Sequence, residues 1–319
     1  MNHSLIHKLN GPIAIYGASG FIGINLLREL TSIREDVFGF VHNTESWRVK
    51  KNPDLKKYII KCDLLNKMDV KKTITKHKPQ TIFNLSAYGS YSWDKDITKI
   101  YETNFNSTIS LLENLKNVGF SVYIHAGSQS EYGLNAEAPF ESDELIPNSH
   151  YAVSKVAVRY LLKYYGRIEK LPVVHLRLYS VYGPWEEPGR LIPTLIEHVK
   201  RGILPPFVSP TISRDFIYID DTIEALITIA ANLKSSQYGE VFNIATGKKT
   251  TMKELAEMTV RLFNIKKKPA FGSMENRDWD VIDWVGNPQK VKKVFEWSTK
   301  VSLEEGIQQF YHWLTKSQS

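Results

Sequence analysis

Residues 13–23 read IAIYGASGFIG, an apolar strand pattern that passes through a glycine-rich turn directly into a helical pattern. Gly17 permits the tight turn, Gly20 lets the backbone approach a pyrophosphate, and Gly23 allows the helix to pack closely against the strand. The N–H groups that open such a helix have no internal partners, so they can face phosphate oxygens. This context predicts a dinucleotide-binding turn, although the GxxGxxG spacing departs from the GxGxxG of simple dehydrogenases.

Short apolar runs and longer helical patterns alternate through the part of the chain that follows. Apolar runs typical of strands with both faces buried occupy residues 13–16, 37–41, 81–85, 121–126 and 173–178, with a shorter candidate at 58–60. Helical spacing occupies residues 21–30, 97–117 and 151–166, and it returns at 220–233 and 251–263. This alternation predicts an α/β protein with a doubly wound parallel sheet, whose ligands bind beyond the carboxyl ends of the strands.

The sequence changes character after Leu178, where segments such as YGPWEEPG and ILPPFVSP are richer in proline and glycine. This change predicts a second, smaller lobe over the carboxyl edge of the sheet. We expect a dinucleotide-binding domain at residues 1–178, to which residues 215–245 return. Residues 179–214 and 246–319 would then form the substrate-binding lobe.

The composition excludes several classes of protein. Hydrophobic residues make up 42% and charged residues 24% of the chain, as in an ordinary globular protein. No apolar run approaches the roughly 20 residues that span a bilayer, and the first residues lack the apolar core of a signal peptide. A single cysteine, Cys62, excludes a disulfide framework, and the nine histidines lack metal-ligand spacing. We therefore expect a cytoplasmic protein with no membrane span and no metal.

The positive charge is concentrated in one window of the sequence. The formal net charge is +7, and residues 42–78 contain 11 Lys or Arg against 4 Asp or Glu, so this window holds the whole excess. A solvated lysine-rich surface explains most of these residues. The alternatives are nucleic-acid binding or a site for an additional phosphate group, and of these we expect no nucleic-acid partner.

Five motifs together indicate a family. They are GASGFIG (17–23), GSQSEYG (127–133), YAVSK (151–155), LRLYSVYGP (176–184) and SRDFIYIDD (213–221). Their order resembles that in the extended short-chain dehydrogenases, and specifically in the nucleotide-sugar epimerases, dehydratases and 4-ketoreductases of that superfamily. The resemblance covers nearly the whole chain. It implies a Rossmann-type sheet with a smaller C-terminal lobe, NAD or NADP as coenzyme, a nucleotide-diphosphate sugar as substrate, and a homodimer formed through helices 97–117 and 151–166.

The resemblance assigns catalysis to Ser128, Tyr151 and Lys155. Tyr151 and Lys155 are four residues apart, so on a helix they lie on the same face. A free tyrosine has a pKa near 10, and an ammonium group one turn away favours the phenolate, so we expect Lys155 to lower the pKa of Tyr151. Tyr151 could then exchange a proton with the sugar while Ser128 holds the reacting oxygen.

The coenzyme contacts implied by the resemblance fall into several segments. They comprise the three glycines of the first turn, Phe21, Ile22, His42, Arg48, Asp63, Leu64, Ala87, Asn104, Tyr151 and Lys155. Ala87 would lie under the nicotinamide, and Asn104 matches a family position in the neighbouring helix. Asp63 would reach the adenine amino group, although a carboxylate at a strand end could equally cap the segment that follows.

The residues after the second strand bear on the choice of coenzyme. NAD-specific folds of this kind usually carry an Asp or Glu at this point, whereas here His42, Asn43 and Thr44 follow the strand. Arg48 lies in the same segment and could bind a 2′-phosphate, while Glu45 argues the other way. The sequence therefore predicts a preference for NADP over NAD.

Residues for the substrate follow from the same resemblance. They are Tyr88, Gln129, Ser130, Ser180, Arg190, Arg214 and Arg277. Arg214 and Arg277 match positions that bind a diphosphate, for which the guanidinium fork is suited. Arg190 would cover the nucleotide or make a surface ion pair, and Ser180 replaces the asparagine of many relatives.

We interpret the chain as a nucleotide-sugar 4-ketoreductase, serving deoxysugar synthesis for surface glycans such as lipopolysaccharide. The alternative is a 4-epimerase with tightly bound NAD, and a remote one is a non-catalytic sensor or RNA-associated member of the superfamily. Related 4,6-dehydratases carry an Asp–Glu pair directly after the catalytic Ser or Thr. Gln129 and Ser130 occupy those positions here, so we expect no dehydratase activity.

Overall fold

The computed structural model describes residues 3–91, 93–272 and 281–316. The strands in these residues are, in chain order, β1 (Ile13–Tyr16), β2 (Val37–Val41), β3 (Ile59–Lys61), β4 (Thr81–Asn84), β5 (Val122–Ser128), β6 (Val173–Leu178), β7 (Ser180–Tyr182), β8 (Ser213–Arg214), β9 (Phe216–Tyr218), β10 (Val241–Ile244), β11 (Thr250–Thr251) and β12 (Asp283–Trp284). The α-helices are α1 (Ser4–His7), α2 (Phe21–Thr31), α3 (Trp47–Lys50), α4 (Lys67–His77), α5 (Ile97–Tyr101), α6 (Ser107–Val118), α7 (His150–Arg167), α8 (Leu191–Val199), α9 (Ile219–Asn232), α10 (Met252–Phe263), α11 (Gln289–Phe295) and α12 (Leu303–Lys316). Three 3₁₀ segments (Pro53–Tyr58, Gln129–Tyr132 and Ser235–Gln237) and one π-helical segment (Glu102–Asn106) complete the described helical structure.

Seven strands form one parallel sheet in the order β3–β2–β1–β4–β5–β6–β10. Ile13 of β1 pairs with Val37 on one side and with Thr81 on the other, so the chain leaves β1 toward one edge and later returns to its opposite side. This reversal between β1 and β4 is the point at which doubly wound sheets bind their ligands. The prediction of an α/β protein with a doubly wound parallel sheet is therefore confirmed.

Helices cover both faces of this sheet and bury its side chains. One apolar cluster joins the sheet to α2 and α9, with Ile24 and Ile223 among its buried members. A second cluster joins the other face to α4, α6 and α7, with Leu111 and Val158 buried in it. The continuous apolar runs of the strands follow from this arrangement, because neither face of the sheet meets water.

Two small sheets lie outside the main one. β7 pairs in parallel with β9, and β8 lies between β11 and β12 in a three-stranded sheet. Because β10 pairs with β6 in the main sheet, the segment that contains α9 and β10 returns to the first part of the chain. We keep the division into a dinucleotide-binding domain and a substrate-binding lobe as a proposal.

The predicted elements match the observed ones with small shifts. The strands at 13–16, 37–41 and 173–178 have the expected bounds, and the helix expected at 151–166 is α7. The stretch 97–117 differs, because a π-helical turn separates α5 from α6. The hydrophobic pattern of the sequence did not predict α4, in which only three side chains are buried and most residues are polar.

Two absences apply to the part of the chain that the structure describes. No helix there is long and apolar enough to cross a membrane. No group of three or more His, Cys, Asp or Glu side chains there could hold a metal ion.

Candidate active site

The glycine loop between β1 and α2 presents backbone rather than side chains. Gly17 has a φ of +80°, and a Cβ on it would lie 2.7 Å from the backbone N of Ser86. A Cβ on Gly23 would collide with the carbonyl oxygen of Gly17, so the first turn of α2 packs directly against the loop. Gly20 precedes α2 and provides no side-chain cap, which leaves the first N–H groups of the helix open to an anion. This loop fits the pyrophosphate of a dinucleotide.

Asn104 joins the loop after β4 to helix α7. It lies in the π-helical turn and is 1% exposed. Its Oδ1 accepts from the backbone N of Tyr88 at 2.9 Å, and its Nδ2 donates to the Tyr88 carbonyl at 2.9 Å and to Ser154 Oγ at 2.8 Å. π-turns often occur at functional sites, and this one fixes the backbone next to Ala87. Asn104 therefore supports the loop in which Ala87 and Tyr88 lie.

The predicted adenosine side of the site is more open. His42 follows β2 with a side chain that is 78% exposed, and its Nδ1 lies 3.5 Å from Asp63 Oδ1. The same carboxylate oxygen accepts from the backbone N of Leu65 at 3.0 Å, so Asp63 does cap the segment after β3. Leu64 lies beside it at the same edge of the sheet. An adenine contact for Asp63 stays a prediction.

Arg48 requires a correction. Its Nε donates to the carbonyl of Trp185 at 2.7 Å, and its Nη2 donates to Glu187 Oε2 at 2.9 Å. The guanidinium also stacks on Trp47, with 4.5 Å to the ring centroid, and the residue is 7% exposed. Arg48, on α3, is thus buried against the segment after β7, and its guanidinium binds that segment instead of a coenzyme 2′-phosphate.

The three predicted catalytic residues lie together. Ser128 ends β5 and Tyr151 lies in the first turn of α7, and the Ser128 side chain is close enough to the Tyr151 hydroxyl to lower its pKa. Lys155 lies one turn further along α7, is 1% exposed, and has its Nζ 5.7 Å from the centroid of the Tyr151 ring. Its Nζ donates to the carbonyl of Ala126 at 2.9 Å, so α7 is tied to the end of β5.

The ionisation of this group differs from the expectation. Burial raises the pKa of Tyr151 to about 12, and the Ser128 side chain opposes that shift only in part. Burial likewise lowers the pKa of Lys155 to about 8, with the charge of Glu131 opposing it. The prediction that Lys155 lowers the pKa of Tyr151 is wrong for this form of the protein, because desolvation dominates and the ammonium points toward Ala126. At neutral pH Tyr151 keeps its proton.

Sequence reasoning missed a buried charged group beneath Ser128. Glu131, His175 and Arg177 are each 0% or 1% exposed. Burial alone would raise the pKa of Glu131, but the charges and hydrogen bonds of His175 and Arg177 hold it at about 2. A signal was present, because VVHLRL places a histidine and an arginine in a run otherwise typical of a buried strand. Charged groups in such a strand need a partner, and the only acid of GSQSEYG is Glu131.

Several predicted substrate residues lie beside the catalytic group. Ser130 Oγ donates to Ser128 Oγ at 2.9 Å, and Gln129 Nε2 lies 3.5 Å from Ser180 Oγ. The structure thus brings together the residues after β5 and the first residue of β7. Gln129 Oε1 is buried and has no hydrogen-bond partner among the described residues, so it is an acceptor that a ligand could use.

The predicted substrate arginines lie in different surroundings. Arg190 precedes α8, its guanidinium is 5.8 Å from the centroid of the Tyr91 ring, and its Nε is 3.8 Å from Glu186 Oε1. Arg214 donates from Nη1 to the carbonyls of Ser213 at 2.7 Å and of Val281 at 3.4 Å. Arg277 lies outside the described residues. Diphosphate binding by these arginines stays a prediction.

Relatives in sequence and a solved structure are similar to this chain. The chain is 28% identical, over 96% of its length, to the Arabidopsis thaliana trifunctional UDP-glucose 4,6-dehydratase/UDP-4-keto-6-deoxy-D-glucose 3,5-epimerase/UDP-4-keto-L-rhamnose-reductase, and it spans 47% of that protein. It is 27% identical to the UDP-glucuronate 4-epimerase of Thermodesulfobacterium geofontis, covering 95% of this chain and 96% of that one. The crystal structure of Bacillus cereus UDP-glucuronic acid 4-epimerase with UDP-glucuronic acid and NAD superposes with a TM-score of 0.83. The identity is 26%, and the match covers 95% of this chain and 99% of that one.

The model of the NAD dependent epimerase/dehydratase family matches residues 13–245, well over half of the chain. The matched span contains the glycine loop, all seven strands of the main sheet, and the group of Ser128, Tyr151 and Lys155. The chain therefore belongs to the NAD-dependent epimerase/dehydratase family and is an enzyme of the extended short-chain dehydrogenase/reductase type.

Proposed function

We propose that this enzyme is a 4-ketoreductase of nucleotide-diphosphate sugars, acting in the cytoplasm on a route to surface glycans such as lipopolysaccharide. The observation that carries the proposal is the grouping of Ser128, Tyr151 and Lys155 at the end of β5, where burial keeps the Tyr151 hydroxyl protonated at neutral pH. Reduction of a ketone needs a proton donor at the carbonyl oxygen. A protonated tyrosine beside Ser128 meets that need.

Each residue of the group has a defined task. Ser128 holds the sugar oxygen within reach of Tyr151, and Tyr151 donates its proton to that oxygen. Lys155 keeps a positive charge beside the phenolate that remains, and it would hold the nicotinamide ribose. The coenzyme, when bound, supplies the hydride. The bare loop at Gly17 and Gly20 would hold its pyrophosphate.

We propose NADPH as the preferred coenzyme, with NADH as the alternative. The support that remains after the reassignment of Arg48 is the absence of a carboxylate in the three residues that directly follow β2, from His42 to Thr44. The carboxylate of Asp63, 3.5 Å from His42 Nδ1, weighs against it. Binding of both coenzymes to the wild type is the test, and tighter binding of NADH would contradict the proposal.

The second candidate function is a 4-epimerase of nucleotide sugars with retained NAD. The similarity to the UDP-glucuronate 4-epimerase, which extends over 96% of that protein, supports it, as does the NAD in the Bacillus cereus structure. An epimerase regenerates its own coenzyme, whereas a reductase consumes one reduced coenzyme for each product molecule.

One experiment separates the two functions. Purified protein is denatured and the released nucleotides are identified by mass spectrometry. Fresh protein is then supplied with UDP- or dTDP-linked 4-keto-6-deoxyhexose and NADPH. We expect oxidation of NADPH in proportion to the 4-hydroxy product. Interconversion of 4-hydroxy epimers without net coenzyme oxidation would assign the epimerase function instead.

We further propose that the enzyme lacks 4,6-dehydratase activity. Gln129 and Ser130 carry no carboxylate, and both oxygens of the next acid, Glu131, are occupied by buried hydrogen bonds. A UDP- or dTDP-linked hexose should therefore give no 4-keto-6-deoxy product. Appearance of that product with this enzyme alone would contradict the proposal.

A homodimer through residues 97–117, which include α5 and most of α6, and through α7 is our proposed assembly. Five large apolar side chains on or next to these helices are exposed, namely Ile97 (48%), Val153 (40%), Tyr160 (57%), Tyr164 (50%) and Ile168 (68%). Apolar surface of this kind is commonly covered by a partner. Light scattering after size-exclusion chromatography tests the assembly, and Tyr164→Glu should yield the monomer.

A further inference from the structure

A fully buried carboxylate lies directly beneath Ser128 and has no task in the proposed proton transfer. Glu131 Oε1 accepts from the backbone N of Ser128 at 2.9 Å and from His175 Nε2 at 2.7 Å. Its other oxygen accepts from Arg177 Nε at 2.8 Å. With no exposed surface and both oxygens occupied, Glu131 itself cannot reach a substrate.

Two hydrogen bonds hold the turn that begins at Ser128. Ser128 Oγ accepts from the backbone N of Ser130 at 3.2 Å, while the Glu131 side chain returns to the backbone N of Ser128. This capping box fixes the turn in which the Ser128 hydroxyl is presented. Space around it is tight, because a Cβ on Gly127 would lie 2.5 Å from Glu131 Oε1 and would collide with His175. A movement of Ser128 would therefore break a hydrogen bond to a buried, ionised group.

Burial lowers the pKa of Lys155, and the negative charge of the same carboxylate opposes that shift. The titratable groups that interact with the Lys155 ammonium are Tyr151 on α7, His125 on β5, His175 on β6 and Glu131 after β5. Burial raises the pKa of Tyr151 and lowers the pKa of both histidines, so none of these three adds a negative charge at pH 7. Arg177, beside Glu131 on β6, is positive and offsets part of the carboxylate's field.

We propose that Glu131 is a positioning residue for the reaction, which holds the Ser128 turn in its catalytic geometry. This inference rests on the proposed roles of Ser128, Tyr151 and Lys155. Glu131 acts through these residues and touches neither substrate nor coenzyme.

The test uses three variants that separate the hydrogen bond from the charge. Arg177→Met is the reference, because it removes the guanidinium that would otherwise be left unpaired and retains the carboxylate. Glu131→Gln added to it keeps an acceptor for the Ser128 N–H but removes the charge. Glu131→Leu added to it removes both the acceptor and the charge, at similar side-chain volume.

As a control, a buried carboxylate outside the catalytic group is also removed. Asp221 is 2% exposed and accepts from the backbone N of Lys300 at 3.1 Å and of Val301 at 3.0 Å. Asp221→Asn should lower thermal stability without a change in the pH profile of turnover. Circular dichroism and thermal unfolding of every variant show whether it is folded.

Hydrogen exchange at the Ser128 amide and kcat are expected to respond differently in the two double variants. In the Glu131→Leu double variant, hydrogen exchange at the Ser128 amide should accelerate and kcat should fall about 100-fold relative to Arg177→Met, with KM within about threefold. In the Glu131→Gln double variant, exchange should stay slow and kcat should fall less than about tenfold.

The outcomes decide between the inference and the function on which it rests. Unchanged kcat in the Glu131→Leu double variant, or unchanged hydrogen exchange at its Ser128 amide, would overturn the positioning role. If Tyr151→Phe meanwhile abolishes turnover, only the inference fails. If Tyr151→Phe retains turnover, the proposed catalytic function itself fails.

Discussion

Two regions of the site are built in opposite ways. Around Ser128 and Lys155 the side chains are buried, and they are bonded to the backbone at the end of β5. His42 and Arg48 each contact a residue from another segment of the chain, Asp63 and Glu187 respectively, and the His42 side chain is 78% exposed. The difference indicates that the proposed catalytic group is held in place by the fold, whereas the segment proposed to contact the adenosine is more open at His42.

The two regions also differ in how far apart their partners are along the chain. Tyr151 and Lys155 are four residues apart, so helical geometry alone brings them to the same face. Arg48 and Glu187 are 139 residues apart, and only the complete fold brings them together. If this comparison holds, substitutions in the first region should impair turnover strongly, and substitutions in the second should change stability more than chemistry.

The largest expected effect is that of Tyr151→Phe. The change removes the transferable proton and keeps the ring, so turnover should fall about 10²–10⁴-fold while coenzyme still binds. Steady-state kinetics and coenzyme titration measure the two properties. The control is Tyr160→Phe on the same helix, whose side chain is 57% exposed and should tolerate the change. Near-normal turnover of Tyr151→Phe would show that the buried region does not perform the chemistry.

The next effect concerns the glycine loop. Gly23→Ala places a Cβ against the Gly17 carbonyl, so the turn must shift. We expect a loss of about 1–3 kcal/mol in unfolding free energy and coenzyme binding weakened about tenfold or more. Gly189→Ala is the control, because a Cβ there meets no atom of the described residues within 4 Å. Equal coenzyme affinity of the two variants would contradict the assignment of the loop.

The pH dependence of turnover tests the buried region without a substitution. The pKa of Lys155 is lowered from 10.5 to about 8, so its ammonium is lost as the pH rises through about 8. Tyr151, with a pKa of about 12, remains protonated in that range. We expect kcat/KM to fall about tenfold per pH unit above pH 8 and to lose this limb in Lys155→Met. A flat profile between pH 7 and 10 would argue against a required ammonium.

Substitutions in the Arg48–Glu187 ion pair should have the smallest effect on the reaction. Arg48→Ala and Glu187→Ala break the same ion pair, so a double-mutant cycle should give a coupling of about 0.5–3 kcal/mol in unfolding free energy. The ratio of NADPH to NADH affinity should stay within about threefold of the wild-type ratio, because the guanidinium is already occupied. A selective loss of NADPH binding in Arg48→Ala, with Glu187→Ala unchanged, would restore Arg48 to the coenzyme site.

The same contrast explains what the sequence could predict. The strands at 13–16 and 37–41 and the helix around Tyr151 follow from local apolar patterns and spacing, which one segment carries by itself. Glu131 escaped prediction because its partners lie 44 and 46 residues away on β6. Arg48 was misassigned because its sequence neighbourhood suggested a phosphate, while its partner lies far along the chain.

The ionisation of Tyr151 marks another boundary of sequence reasoning. Spacing predicts that a lysine lies near the tyrosine, but not how much water surrounds either group. Desolvation of the pair outweighs their mutual attraction in this form, which reverses the expected direction of the pKa shift. Burial is a property of the whole fold, so it becomes known only from the structure.

The π-helical turn at Glu102–Asn106 constrains the insertions and deletions that the chain tolerates. Such a turn accommodates one more residue than an α-turn, and each residue of an α-helix rotates the next by about 100°. Deleting one residue here would join α5 and α6 as a regular helix and rotate one of them by that angle. Either Asn104 would leave Tyr88 and Ser154, or α6 would turn its buried Leu111 toward water. The length of this stretch should therefore be more strictly maintained than that of the surface loops, and a gap at this point between related chains should coincide with a change at Asn104.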